Sequence, residues 1–335
     1  MYHLVRSILF RFDAEDIHGL VLGLIRWAGL LPPTYALVRA LYGYDDPRLE
    51  VEVFGIRFKN RVGLAAGYDK NGIGVRGLSA LGFGHIEVGT VTRQAQAGNP
   101  RPRVHRVVEA GALINSMGFP NDGVNALRIR RGGARVGINI GKGKDTAIEQ
   151  AAADYCALLR QVHSQADYVA LNVSSPNTLN LRRLQAREII EDLLKAVAEV
   201  RNSLQPRLPL LVKIAPDLNE SEVDDVLGAI ERAGIDGIIA TNTTVSREGI
   251  PDRYASLPGG LSGAPLRTRS TEMVRYIARH TGGRLPIIGV GGIASPEDAL
   301  EKLDAGASLV QVYTGLVYAG PGLVKAINRS CVGRK

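Results

Sequence analysis

The sequence predicts a (β/α)₈ barrel of the α/β class, a TIM barrel, with a small N-terminal helical extension. Three observations carry that prediction. Eight short apolar runs alternate with segments of helical period from about residue 63 onward. The runs are rich in Val, Ile and Ala with little polar alternation, as strands of a parallel sheet covered on both faces must be. Polar residues gather at the C-terminal ends of nearly all of them, which suits a closed barrel whose strand ends converge on one mouth. A doubly wound sheet would concentrate such residues at one switch point.

Taken in order, the chain opens on residues 1–44, expected to be an extension distinct from the barrel at 45–335. Asp13 is a candidate N-cap, and Ile17, Leu20, Val21, Leu24, Ile25 and Ala28 follow at helical spacing. Pro32 and Pro33 end that helix, and residues 34–41 read as a second short one. The apolar stretch from Ile17 to Leu31 contains His18 and Arg26 and is too short to span a bilayer at about 1.5 Å per residue. No signal or transit sequence is expected at the start. Residues 51–54 and 56–59, separated by Gly55, read as a hairpin closing the barrel floor. The eight strands are then expected at 63–66, 86–91, 136–140, 168–173, 210–214, 237–241, 286–290 and 309–313, with helices such as 188–200 and 220–233 between them.

Composition excludes several chemistries. Cys156 and Cys331 share no CxxC spacing, so neither a disulfide framework nor a thiolate metal site is expected. The 6 histidines form no HxxxH or HExxH pattern, and no metal is expected. No GxxxxGK[ST] sequence and no strand–GxGxxG–helix unit occurs, which argues against a P-loop nucleotide or a Rossmann-bound nicotinamide. The net charge of +8 gathers in arginines at 101–106, 128–135 and 182–187. Such a field could attract anionic lipid, an acidic metabolite or nucleic acid, although most of these arginines read individually as solvated faces.

Three strand ends carry candidate chemistry. The loop Asn172-Val-Ser-Ser-Pro-Asn177 offers two amides able to read an imide or amide ring edge, and Ser175 presents a hydroxyl able to move a proton. After the first strand, residues 63–72 supply small side chains against which a flat cofactor could lie, with Lys70 as a cation. The glycines of 289–293 and of Tyr313-Thr-Gly315 stand where barrels commonly hold a phosphate on backbone N–H groups.

Together these segments resemble the dihydroorotate dehydrogenases over essentially the whole chain. The motifs are LAAGYDKNG (64–72), GFGHIEVGTVT (82–92), GNPRPRVHR (98–106), LINSMGFPN (113–121), GINIGK (137–142), NVSSPNT (172–178), VKIAPDL (212–218), IIATNTT (238–244), GGLSGAPL (259–266), IIGVGGI (287–293) and LVQVYTG (309–315). The resemblance implies FMN bound by Ala66, Gly67, Tyr68, Asp69, Lys70, Thr90, Asn139, Asn172, Lys213 and Thr241, with Gly263, Gly292, Tyr313 and Thr314 at or near its phosphate. It implies dihydroorotate, or the product orotate, bound by Lys70, Asn115, Ser116, Met117, Gly118, Phe119, Asn172, Asn177, Asn242 and Thr243. Ser175 would be the base that takes the C5 proton while hydride leaves C6 for the flavin.

Soluble relatives use a cysteine as that base and lack the extension, so Ser175 and residues 1–44 both point to the membrane-associated, quinone-reducing class. His18, Arg106 and Tyr313 would line the inner end of a quinone tunnel. Tyr68 departs from the aliphatic residue of many relatives, which touches local packing only. The expected partners are a membrane quinone and an anionic phospholipid surface, met peripherally on the cytoplasmic face of the cell membrane. The chain is expected to be a monomer with no nucleic-acid partner. An RNA-modifying flavoenzyme would need a catalytic cysteine and usually an RNA-binding domain. A non-catalytic membrane scaffold would not need Lys70, Asn172, Asn177 and Lys213 on one mouth.

Overall fold

The computed structural model describes residues 2–333; Met1, Arg334 and Lys335 lie outside the described residues. The extension contains three helices: α1 (Tyr2–Leu9), α2 (Ala14–Leu30) and α3 (Pro32–Tyr42). Asp13 caps α2 as its residue type predicts, its carboxylate accepting from the backbone N–H groups of Glu15 at 2.9 Å and Asp16 at 3.0 Å. The second helix begins at Pro32 rather than at residue 34. A proline that cannot continue one helix is well suited to the first turn of the next, where its missing N–H has no partner to lose. The bend between α2 and α3 is 111°.

Helix α2 turns only a narrow face to the barrel and leaves part of its apolar surface exposed. Leu22 and Gly29 face the barrel, whereas Leu20, Leu24 and Trp27 are exposed. Helix α4 (Val75–Ser79) explains this. A Cβ on Gly29 would lie 2.5 Å from the Gly77 nitrogen, and one on Gly77 would lie 1.9 Å from the Ile25 carbonyl oxygen, so only glycines allow these backbones to meet. Helix α1 was not foreseen. It docks through the Tyr2 hydroxyl on the Val317 carbonyl at 2.6 Å and Arg6 on the Tyr318 carbonyl at 2.9 Å.

Strands β1 (Val51–Val53) and β2 (Ile56–Phe58) form the expected antiparallel hairpin. Strands β3 (Val62–Leu64) and β4 (His85–Val91) open the barrel. Strands β5 (Val104–Val107) and β6 (Ala112–Asn115) leave it, and β7 (Arg135–Ile140), β8 (Tyr168–Asn172), β9 (Leu210–Ile214) and β10 (Gly237–Ala240) continue it. Strand β11 (Gly260–Gly263) is again outside, and β12 (Ile287–Val290) and β13 (Leu309–Val312) complete the ring. The closed order is β10-β12-β13-β3-β4-β7-β8-β9, every neighbouring pair parallel. The larger outer helices include α5 (Ala151–Val162), α6 (Arg187–Ser203), α7 (Glu220–Ala233), α8 (Arg267–His280) and α9 (Pro296–Asp304).

The sheet β11-β6-β5 is antiparallel and was missed from sequence. Its strands are four residues each, and β11 pairs with β6 across more than 140 positions, a partnership no local pattern reveals. It carries Asn115 and Gly263 to the barrel mouth from opposite strands.

At the floor, Val53 and Phe58 of the hairpin pack against Tyr168, Leu211, Ile239, Ile288 and Leu309 from inside the barrel. His85 is buried there between Phe58 and Tyr168, with neither ring nitrogen hydrogen-bonded. Gly63 makes room for it, since a Cβ would stand 2.0 Å from the imidazole Nε2. Phe58 has no solvent exposure. Phe58→Ala should therefore cost about 3–5 kcal/mol in a urea unfolding experiment, the usual loss for emptying a buried aromatic site. A loss under about 1 kcal/mol would mean that the hairpin does not plug the barrel.

Candidate functional site

At the C-terminal ends of the strands the barrel opens into a cavity enclosing about 990 Å³, a figure that includes solvent at its open side. Ala65, Ala66 and Gly67 after β3, with Val290 and Gly291 at the end of β12, line it with small side chains or none. Thr90, Asn172, Lys213, Thr241, Asn242 and Thr243 bring polar groups from four further strand ends. Asn115, Met117, Gly118 and Phe119 follow β6, and Ser175 and Asn177 follow β8. Phe119 holds a left-handed φ of +54°, uncommon for a side chain of its size, directly after Gly118 at +69°.

Beneath the cavity lies a charged layer of which the sequence pointed to Lys213 and Asn139 but not to Glu87. Glu87, in the middle of β4, has no exposure and faces Lys213 of β9 at 3.5 Å. Its carboxylate also accepts from Asn139 Nδ2 at 2.8 Å, Gln311 Nε2 at 2.8 Å and the Tyr168 hydroxyl at 3.3 Å. Burial, with the neighbouring carboxylate, pushes the Tyr168 phenol well up, so it stays a donor. Lys213 has this single long contact, and its residue lines the cavity. The missed signal was one acid inside an otherwise apolar strand, opposite one lysine inside another.

From that layer a chain of hydrogen bonds climbs to the mouth. Thr90 Oγ1 donates to Asn139 Oδ1 at 2.6 Å, and Asn172 Nδ2 donates to Thr90 Oγ1 at 2.9 Å. Asn242 Nδ2 then donates to Asn172 Oδ1 at 3.3 Å and to Ser174 Oγ at 3.0 Å. Asn177 Nδ2 bridges to the Asn115 carbonyl at 3.0 Å and its side-chain oxygen at 3.1 Å, joining the β8 loop to β6. Ser175 is 5% exposed, and its Oγ accepts from the Asn177 N–H at 3.2 Å. The Thr178 hydroxyl, three residues on, is buried without a partner. Lys70 is half-buried; desolvation pushes its ammonium down to about 8 although Glu15 pulls the other way.

Another stretch of the cavity lining is rich in glycine and hydroxyl groups. Gly263, Gly291, Gly292, Thr314 and Gly315 form it, with the Ser262 and Thr314 hydroxyls 2.8 Å apart. Gly292 has φ +74°, and a Cβ there would stand 2.4 Å from the Arg267 Cα, so backbone alone fits between helix α8 and the cavity. A slot of small residues, a lysine with spare donors and this glycine-lined stretch fit a flat ring carrying a phosphate.

Other expected residues stand elsewhere. Asn139 lies below the lining and supports Thr90. The Asp69 carboxylate turns away to accept from the N–H groups of Ile73 at 3.0 Å and Gly74 at 2.7 Å, bracing its own loop. Ser116 is absent from the lining, and its carbonyl accepts from Asn99 at 2.8 Å. Tyr68 is buried between His18 and Tyr313, with ring centroids 4.7 Å and 5.8 Å away. His18 Nε2 donates to the Tyr68 carbonyl at 2.7 Å. Burial, with Lys70 nearby, pushes the His18 imidazole down to about 4. Tyr313 lines the cavity and donates to the Gly67 carbonyl at 3.3 Å. Arg106 points to the linker between α1 and α2, donating to the Phe12 carbonyl at 2.7 Å with its guanidinium over the Phe10 ring.

Residues 48–332 match the family described as dihydroorotate dehydrogenase. A protein of Stutzerimonas stutzeri named dihydroorotate dehydrogenase (quinone) is 50% identical, the match covering 97% of this chain and 96% of the relative. One of the same name from Roseiflexus castenholzii is 46% identical over 98% of this chain and 91% of its own length. The crystal structure of the Eimeria tenella enzyme in complex with ferulenol superposes with a TM-score of 0.86 at 36% identity, covering 95% of this chain and 90% of the other.

Two histidines, His85 buried and His18 partly buried, make stability depend on pH. Burial holds His18 at about 4 and His85 at about 3, both below the ordinary 6.5 that the unfolded chain regains. The unfolded state therefore binds more protons, and their contribution is complete above pH 6.5 and lost as pH falls toward 4. At pH 5 each should cost about 2 kcal/mol relative to pH 7.5. Urea midpoints at the two pH values measure this, and His18→Gln should shrink the difference. An unchanged difference would mean that His18 takes up its proton in the folded protein.

Proposed function

The chain belongs to the dihydroorotate dehydrogenase family and oxidises dihydroorotate to orotate in pyrimidine biosynthesis with a quinone as acceptor, and we propose that FMN is its flavin, Ser175 its base and residues 1–44 its quinone-side extension to a catalytic domain at 45–335. The observation carrying this reading is one cavity lined by Ser175, Asn177, Lys213 and the glycine-rich stretch together.

FMN, when bound, supplies the hydride acceptor. Ala65, Ala66, Gly67 and Val290 would flank its ring, and Gly263, Gly292 and Thr314 would hold its phosphate. Lys213 would hold a positive charge at one ring edge, where it favours a ring gaining negative charge. Asn115, Asn172, Asn177 and Asn242 would read the pyrimidine's amide and imide edges, and the Lys70 ammonium would bind its carboxylate.

Ser175 would accept the C5 proton. A serine hydroxyl is a weak base, and the hydrogen bonds of the 172–178 loop bring no histidine to it. The unpartnered Thr178 hydroxyl on the same loop supports a relay carrying that proton onward. Flavin reduction should consequently speed up toward alkaline pH.

On the acceptor side, the convergence of His18, Tyr68 and Tyr313 under α2 supports a quinone path reaching the flavin from the extension, with Arg106 ordering the α1–α2 linker. Among the described residues no single helix is long and apolar enough to cross a membrane. Yet 10 of the 14 exposed large hydrophobic residues described lie between Leu4 and Leu41. Such apolar exposure supports peripheral membrane attachment, which we propose is to an anionic phospholipid surface on the cytoplasmic face.

Ser175→Ala should keep its flavin and bind orotate but reduce the flavin about 100-fold or more slowly in anaerobic stopped flow. Wild-type speed would exclude Ser175 as the base. Deleting residues 1–44 should yield a protein that no longer reduces a long-chain quinone but still reduces its flavin with saturating dihydroorotate. Quinone reduction at the intact enzyme's rate would remove the extension from the acceptor path.

A further inference from the structure

The extension also reaches the pyrimidine side of the cavity, through a contact that the acceptor path does not use. Glu15, in the first turn of α2, forms a two-pronged ion pair with Arg103: Nη2 to Oε1 at 2.7 Å and Nε to Oε2 at 3.1 Å. Both side chains are nearly enclosed, at 14% and 10% exposure, so this pair escapes most of the screening that weakens surface pairs. Arg101 adds a second guanidinium at 3.1 Å. Burial pushes the Glu15 carboxyl up, but the two arginines outweigh it and hold it below its ordinary value.

Arg103 uses its remaining donor on the turn before it. Nη1 donates to the Ala97 carbonyl at 2.6 Å and the Asn99 carbonyl at 2.8 Å. Asn99 then contacts both halves of the pyrimidine site. Its Nδ2 donates to the Ser116 carbonyl at 2.8 Å and the Asn177 carbonyl at 3.3 Å, and its backbone N–H donates to the Met117 carbonyl at 2.9 Å. A Cβ on Gly118 would stand 2.8 Å from the Asn99 amide, so the two are packed without slack.

We propose that Glu15 of the N-terminal extension is a positioning residue for the pyrimidine site, acting through Arg103 and Asn99 to hold the 116–118 segment and the Asn177 loop in their binding geometry. The inference rests on the reading that Asn115, Asn177 and their neighbours bind the pyrimidine. It gives the extension a role in the first half-reaction as well as the second. The Glu15 carboxylate also supports the charged form of Lys70 against its desolvation, with Asp69 acting the same way and Arg103 opposing.

The test uses the full-length flavin-loaded enzyme with Glu15→Gln, Asn99→Ala and the double variant. Orotate affinity is read from the flavin spectrum, and KM is measured separately for dihydroorotate and quinone. Glu15→Gln should weaken orotate binding and raise the dihydroorotate KM about tenfold, the scale of a lost charged hydrogen bond. Flavin content, quinone KM and flavin reduction at saturating substrate should stay within about twofold of wild type, too small a difference to signal a lost interaction. Asn99→Ala should do the same, and the double variant should be no worse than the poorer single. Loss of the Lys70 charge should raise the dihydroorotate KM toward alkaline pH, and that rise should begin at lower pH in Glu15→Gln, because Lys70 loses a supporting charge. Orotate affinity unchanged in Glu15→Gln, or effects that multiply in the double variant, would overturn the proposal. Absence of orotate binding by the wild type would instead overturn the pyrimidine-site reading beneath it.

Discussion

Inside the barrel a carboxylate and an ammonium, Glu87 and Lys213, face each other 3.5 Å apart, almost without contact with water. Removing two charges from water costs several kcal/mol per ion, and a contact this long recovers only part of it. The carboxylate is made tolerable by three further donors, Asn139, Gln311 and Tyr168. Lys213 has no comparable set of partners. The layer is therefore poor as a stabilising device and good as a way of holding a positive charge, with donors to spare, at the base of a cavity.

The geometry above depends on that layer. Asn139 is oriented by Glu87, Thr90 by Asn139, Asn172 by Thr90, and Asn242 by Asn172, so the polar groups at the mouth form one connected chain rather than separate side chains. Such networks are stiff when every member is satisfied. The barrel strands supply the spacing, the β11-β6-β5 sheet supplies Asn115 and Gly263 from one side, and helix α2 closes over the other through His18 and Glu15.

Much of this was legible in the sequence, for physical reasons. A strand buried on both faces must be apolar, so all eight barrel strands stood out to within about two residues of their observed ends, the usual margin for boundaries. The mouth residues were legible because polar groups at the ends of apolar runs have nowhere else to point. Glu87 escaped because its strand reads as apolar with or without it, and its partners come from β7, β8, β9 and β13. The β5, β6 and β11 strands escaped because their pairing is long-range and their composition ordinary. The apolar spacing of α2 marks a stripe without saying whether protein or lipid will cover it. Here the glycine crossing at Gly29 and Gly77 decided the matter. Asp69 is polar at a strand end yet serves its own loop, which no sequence pattern reveals.

The claim that the Glu87–Lys213 layer exists for the ligand rather than for the fold is open to one direct measurement. The double variant Glu87→Gln/Lys213→Met removes both charges while keeping shape, and the unpartnered Gln311 Oε1 is available to accept from the new amide. Urea unfolding of the flavin-free protein and flavin titration of the same preparation are compared with wild type. The account predicts an unfolding free energy equal to or above wild type, as for other buried pairs replaced as a unit, and flavin affinity reduced about tenfold or more. Wild-type flavin affinity combined with a collapse in stability would contradict it.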